Sequence, residues 1–194
     1  MERTKYLSEK EVLILRTTTK LRALEAAEAK PKRVGGILMW MVVDAALSTG
    51  LRVGELVKIR VIDIDFKRSF INVCRLKKGK PYKDILAISP EFKQHLKDYL
   101  GKRSKGKLFK GKRGNLTRQG LQQIWKAAIK RANLPKEYSI HAARHSAAVQ
   151  YLRKTKNLKL VQKLLGHSSI TTTAQMYCDI PFEDMQEAAT GVWD

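Results

Sequence analysis

From Ser8 to about Ala29 the chain reads as a helix, with apolar residues at Val12, Leu13, Leu15, Leu21 and Leu24. Ser8 followed by Glu11 three residues later is a capping-box signal for its start. Lys30-Pro31-Lys32 ends it, because proline disfavours helix in the residue before it. Gly36 to Ser48 is apolar almost all round, which predicts a central helix and not a surface one. Gly50 supplies a left-handed cap, and Val53 to Ile59 reads as a further short helix. The period then changes to two. Val61 to Phe66, Phe70 to Leu76 and Ile85 to Ile88 are β-rich runs, and Lys77-Lys78-Gly79-Lys80-Pro81 forms the hairpin tip between the last two. Helices resume at Pro90 to about Leu100, Thr117 to Ala132, His141 to about Lys154, Leu158 to Leu165, Thr171 to Cys178 and Phe182 to Ala189. The expected fold class is α+β: mainly α with a small three-stranded antiparallel sheet.

Composition narrows this picture. With 194 residues, 43% of them hydrophobic, the chain can bury a real core in one domain or one and a half. The net charge of +21 calls for a polyanionic partner. It is unevenly spread. Arg75 to Arg113 holds 14 Lys or Arg against 3 Asp or Glu, whereas Cys178 to Asp194 holds five acidic residues and no basic ones. Two cysteines exclude a disulfide scaffold and fit a reducing compartment, so a cytoplasmic location is expected. The most apolar stretch, Ile37 to Leu47, is interrupted by Asp44 and is too short to span a bilayer; no signal peptide opens the chain. A ribosomal or architectural protein fits the charge equally well.

The chemistry has to come from elsewhere. The sequence has no Walker-type phosphate loop, HExxH, paired CxxC or GxSxG elbow. Asp63 and Asp65 would share one face of a strand, but nothing nearby completes a metal cage, so neither metal nor cofactor is expected. Metal-free phosphoryl transfer needs cations for the pentacoordinate phosphorane, a nucleophile, and an acid for the departing oxygen. Arginine suits the first role through its planar, permanently charged fork. Four fragments hold these parts: Ser48-Thr49-Gly50-Leu51-Arg52-Val53-Gly54-Glu55-Leu56, Ile140-His141-Ala142-Ala143-Arg144-His145-Ser146, Leu164-Leu165-Gly166-His167-Ser168-Ser169, and Thr171-Thr172-Thr173-Ala174-Gln175-Met176-Tyr177. Singly each is weak; their order and spacing carry the signal. His141 and Arg144, at i and i+3, share a helix face. His145 points elsewhere and reads as structural.

In these boxes the chain resembles the tyrosine recombinases, the integrase family of phages, integrative elements and Xer-type resolvases, over roughly Leu7 to Cys178. The resemblance implies the catalytic-domain fold of that family. It implies that Arg52 and Arg144 clamp the non-bridging phosphate oxygens and that His141 and His167 hydrogen-bond the phosphate and help move protons. It makes Tyr177 the nucleophile and Lys78 the general acid for the leaving 5′-hydroxyl, with Lys80 in reserve. Glu55 would support Arg52. His167 and Tyr177 stand ten residues apart, where many members have nine. Most members also carry a separate N-terminal clamp domain. Here only a few residues precede the catalytic fold, so residues 1–180 are expected to be a small single-domain form, the other reading being a chain derived from a longer protein, with 181–194 an acidic tail that docks on a neighbouring protomer.

The implied function is site-specific recombination of double-stranded DNA through a 3′-phosphotyrosyl intermediate. It needs neither metal nor ATP, and a free monomer assembles into a tetramer on two sites. Backbone contacts fall to the basic segment from Lys77 to Arg113, including Lys80 and Lys83. Arg118, Gln119, Gln122, Gln123 and Lys126 either read bases in the major groove or form an ordinary surface helix. The alternatives are an inactive DNA-binding regulator on the same fold and a type IB topoisomerase-like relaxing activity.

Overall fold

Seven helices and two small sheets build the described part of the chain, residues 6–29, 34–77, 80–112, 114–166 and 190 of a computed structural model. Helix α1 (Glu9–Glu28) starts as the capping box predicts: Glu11 N–H donates to Ser8 Oγ at 3.3 Å, and Ser8 N–H donates to Glu11 Oε2 at 2.8 Å. Its buried face is a different one from the expected leucines. Leu15, Thr19, Ala23 and Ala26 are buried, whereas Leu13, Leu21 and Leu24 are exposed. Small residues win because they let helix α2 (Val34–Thr49) come close. A Cβ on Gly36 would lie 2.7 Å from both Ala26 Cβ and the Arg22 carbonyl oxygen.

Helix α2 is central, as its all-round apolar character predicts, and packs against α1 and three later helices: α4 (Pro90–Leu100), α5 (Arg118–Arg131) and α6 (Ile140–Thr155). The one acid in its apolar run, Asp44, is buried. Its Oδ1 meets Arg16 Nη2 at 3.0 Å and its Oδ2 meets His95 Nδ1 at 2.8 Å, so it ties α1, α2 and α4 together. Helix α3 (Val53–Leu56) is shorter than expected.

The three-stranded antiparallel sheet is present, in the order β1 (Ile64–Asp65), β2 (Phe70–Lys77), β3 (Lys80–Ala87). Two expectations about it need correction. Val61 to Asp63 is a 3-10 turn and not strand, because Asp63 Oδ2 accepts the Arg60 N–H at 2.8 Å and offers the backbone a local alternative to the ladder. Asp63 and Asp65 therefore share no strand face. At the other end, pairing continues through Leu76↔Pro81 to Lys77↔Lys80, so Pro81 belongs to a strand and the tip shrinks to residues 78–79. Proline is tolerated there because β3 is an edge strand. At the end of the basic stretch, β4 (Lys110–Gly111) and β5 (Gly114–Asn115) form a small ribbon.

Helices α4, α5 and α6 begin at Ser89, Thr117 and Ser139, each side chain accepting a backbone N–H of the first turn. Asn157 does the same for α7 (Leu158–Leu165). Such a cap is worth about 1 kcal/mol. A satellite apolar cluster of Tyr6, Ala148, Val149, Val161 and Leu165 seats α7 on α6. The expected helices at Thr171 to Cys178 and Phe182 to Ala189 lie outside the described residues. Among the described residues no helix is long and apolar enough to cross a membrane.

Candidate active site

Helix α2 ends at Gly50, which has φ +59° and whose N–H returns to the Ala46 carbonyl at 3.0 Å. Glycine is required here twice over: by the left-handed backbone, and because a Cβ would lie 2.8 Å from Leu165 Cδ2 and 3.2 Å from Ala147 Cβ. The reversal delivers Arg52 to the start of α3. Its side chain is 43% exposed, and Nη1 lies 3.2 Å from Glu55 Oε1. Glu55 is buried and also accepts the Arg52 backbone N–H at 2.9 Å, so one carboxylate fixes both the main chain and the guanidinium.

Arg144 comes from the second turn of α6 and is 4% exposed. Its Nη1 donates to the Gly50 carbonyl at 2.7 Å and its Nη2 to the Leu165 carbonyl at 2.8 Å. One guanidinium thus joins three of the sequence fragments: the glycine turn before Arg52, its own helix, and the end of α7 that leads into Gly166-His167. Burial, then the Arg52 charge, push its pKa down from the ordinary arginine value to about 9; Glu55 opposes this and Arg75 adds to it. His141 lies one turn earlier on α6 and is exposed. His145 is half-buried, in keeping with a structural role.

Arg75 was not anticipated. It follows Ile71 and Val73 on the inward face of β2 and is 1% exposed. Its Nη2 donates to the Leu164 carbonyl at 2.7 Å, its Nη1 to the Leu165 carbonyl, and its Nε lies 2.7 Å from Asp84 Oδ2. The signal available in the sequence was the alternation itself, which carries Arg75 to the apolar face of the strand.

Of the expected DNA contacts, Lys80, Lys83, Arg118, Gln122 and Lys126 are all exposed, the last three one α-turn apart on α5. The Arg118 guanidinium lies flat on Gly54, whose Cβ would be 3.1 Å from its Cζ, so α5 adjoins the Arg52 turn. The side chain of Lys77, and Lys78, His167 and Tyr177 entirely, lie outside the described residues. Tyr151 donates its hydroxyl to the Ser48 carbonyl, and burial pushes its pKa up. Among the described residues no group of His, Cys, Asp or Glu is placed to hold a metal ion.

Residues 9–183 match the phage integrase family. The chain belongs to that family. It is 34% identical to the tyrosine recombinase XerD of Corynebacterium glutamicum over 158 residues, which is 77% of this chain and 50% of that one. It is 33% identical to tyrosine recombinase XerC of Treponema denticola, over 77% of this chain and 55% of that one. The chain thus spans about half the length of these curated relatives. Among solved structures, the XerA recombinase superposes with a TM-score of 0.76 at 26% identity, covering 95% of this chain and 64% of that one. The XerH recombinase bound to its difH substrate superposes with a TM-score of 0.69 at 21% identity, covering 98% of this chain and 55% of that one, and supports the fold. The integrase-family fold, mainly α with a small antiparallel sheet, accounts for the whole described architecture.

Proposed function

We propose that this integrase-family chain is a site-specific DNA recombinase. The observation that carries the reading is Arg144, which holds the Arg52 turn and the end of α7 with one buried guanidinium while facing two further arginines. A buried guanidinium beside a second arginine is suited to a phosphodiester, whose non-bridging oxygens carry the opposite charge.

In this mechanism Arg52 and Arg144 grip the non-bridging oxygens of the scissile phosphate, and His141 and His167 hydrogen-bond it. Tyr177 Oη attacks phosphorus as its proton passes to one of these histidines. The P–O5′ bond breaks, the departing 5′-oxygen takes a proton from Lys78, and a 3′-phosphotyrosyl link remains. A 5′-hydroxyl of the partner strand then attacks that link and releases Tyr177. The bond count is conserved, so no ATP is consumed. Glu55 keeps Arg52 aimed. Lys77, Lys80 and Lys83 on the hairpin contact the phosphate backbone, while Arg118, Gln122 and Lys126 present one face of α5 to the DNA. Residues 1–180 form the catalytic unit. The acidic segment 181–194 docks in trans, coupling protomers of a tetramer on two duplexes.

Covalent trapping tests this reading. The protein and a Tyr177→Phe variant are incubated in EDTA with nicked suicide substrates drawn from the flanking genomic DNA. A protein–DNA adduct with the parent and none with the variant is the expected result. Salt-sensitive binding without any adduct would instead identify a regulator, and relaxation of supercoils without recombinant product would identify a topoisomerase.

A further inference from the structure

The β2–β3 hairpin is sparsely held. β3 is an edge strand, and of its residues only Leu86 is buried and Asp84 half-buried. Among the described side chains of β2, Arg75 is the buried one nearest the tip. Its guanidinium meets three partners. Nη1 and Nη2 hold the last two carbonyls of α7, groups that a helix leaves without intrahelical partners and that attract a cation. Nε faces Asp84, a diagonal neighbour across the hairpin. Gly166 completes the fit. It has φ +67°, and a Cβ there would fall within 2.6 Å of Arg75 Cδ and Cζ. A residue other than glycine would be strained and would also displace the arginine.

The geometry points to Arg75 as a positioning residue that fastens the distal hairpin to the end of α7 and so anchors the strand from which the proposed general acid, Lys78, follows in the chain. Arg75 has its charge met within the protein, by Asp84 Oδ2 at 2.7 Å, which suits a structural cation more than a phosphate-binding one. Its reach is covalent: the strand register is fixed out to Lys77↔Lys80, and Lys78 follows directly in the chain. Loss of the clamp falls on the hairpin and not on α7, because α7 keeps its bond from Arg144 and its seat of Val161 and Leu165 against α6. This inference rests on the proposed recombinase chemistry and adds to it a residue that acts through another.

The test uses the full chain and the DNA site identified by trapping, made in two forms. One is the ordinary phosphodiester; the other carries a bridging sulfur in place of the scissile 5′-oxygen. A thiolate leaves without needing a proton, so the sulfur form bypasses the general acid. Arg75→Lys keeps the charge and loses the fork, and Asp84→Asn loosens Nε from the other side. Both should slow adduct formation on the oxygen substrate by about ten- to a hundredfold, recover most of that rate on the sulfur substrate, and leave DNA affinity unchanged. Lys78→Ala provides the reference pattern. Equal slowing on both substrates, or no slowing, with protein that melts as the parent does, would overturn the clamp. If Arg75→Lys fails to fold, Asp84→Asn decides alone. No adduct with the parent chain overturns the recombinase reading and the inference with it; a parent adduct with unaffected variants overturns the inference only.

Discussion

Two clusters of charged side chains adjoin the central helix, one at Asp44 within it and one at the Gly50 turn that ends it. Around Asp44, one carboxylate is shared by Arg16 and His95, and Ser48 closes the ring through Arg16 Nη2 at 2.6 Å. Around Arg144, three guanidiniums, of Arg52, Arg75 and Arg144, face two carboxylates, of Glu55 and Asp84. In the first cluster a single carboxylate is shared by Arg16 and His95. The second is completed largely by neutral backbone carbonyls, which satisfy hydrogen bonds but not charge. In the proposed reaction the phosphodiester brings the further negative charge to the second cluster, and the first takes no part.

The contrast can be broken from either side. The largest effect is expected on the first cluster. Asp44→Ala strands two partners in the core and should cost about 3–5 kcal/mol in urea denaturation, while the folded fraction still cleaves DNA at low temperature. Next, Arg144→Gln should lower adduct formation by about 10²–10³-fold, with a smaller loss of stability than Asp44→Ala, because a buried like-charge repulsion goes with it. Gly50→Ala, forced into left-handed backbone against Leu165, should cost at least about 1–2 kcal/mol in the same denaturation assay.

The smallest effect is in pH. The folded pKa of Arg144, about 9, lies well below the ordinary arginine value. Between those values the unfolded chain holds the extra proton, so this group's contribution to stability rises with pH across that window. Cleavage needs the guanidinium charged and should fall as pH passes about 9. Glu55→Gln removes the neighbour that raises the Arg144 pKa, so in a pH–rate profile the alkaline fall should move to lower pH.

Element starts were legible because they are written in local chemistry. Ser8, Ser89, Thr117, Ser139 and Asn157 each cap the helix that follows, and Gly50 turns the chain where its position indicates. The central place of α2 followed from an apolar surface with no polar side. The buried face of α1 was not legible. Leucine predicts burial one residue at a time, whereas Ala23, Ala26 and Gly36 determine how closely two helices approach. The strand read at Val61 to Phe66 also missed, since a side-chain bond from Asp63 outbid the ladder over its first half.

The sequence alone determined the chemistry on offer: two arginines, two histidines, a lysine and a tyrosine in ordered boxes, on a chain of net charge +21. These are properties of residue type and spacing, which survive without coordinates. Only the tertiary structure decided which of the many other cations join the site. Arg75 and Leu165 are 90 positions apart, and no local pattern links a strand residue to the last carbonyls of a distant helix. That pairing exists because buried carbonyls and a buried guanidinium must each find a partner, and the packing of α7 against α6 places them within reach of one another.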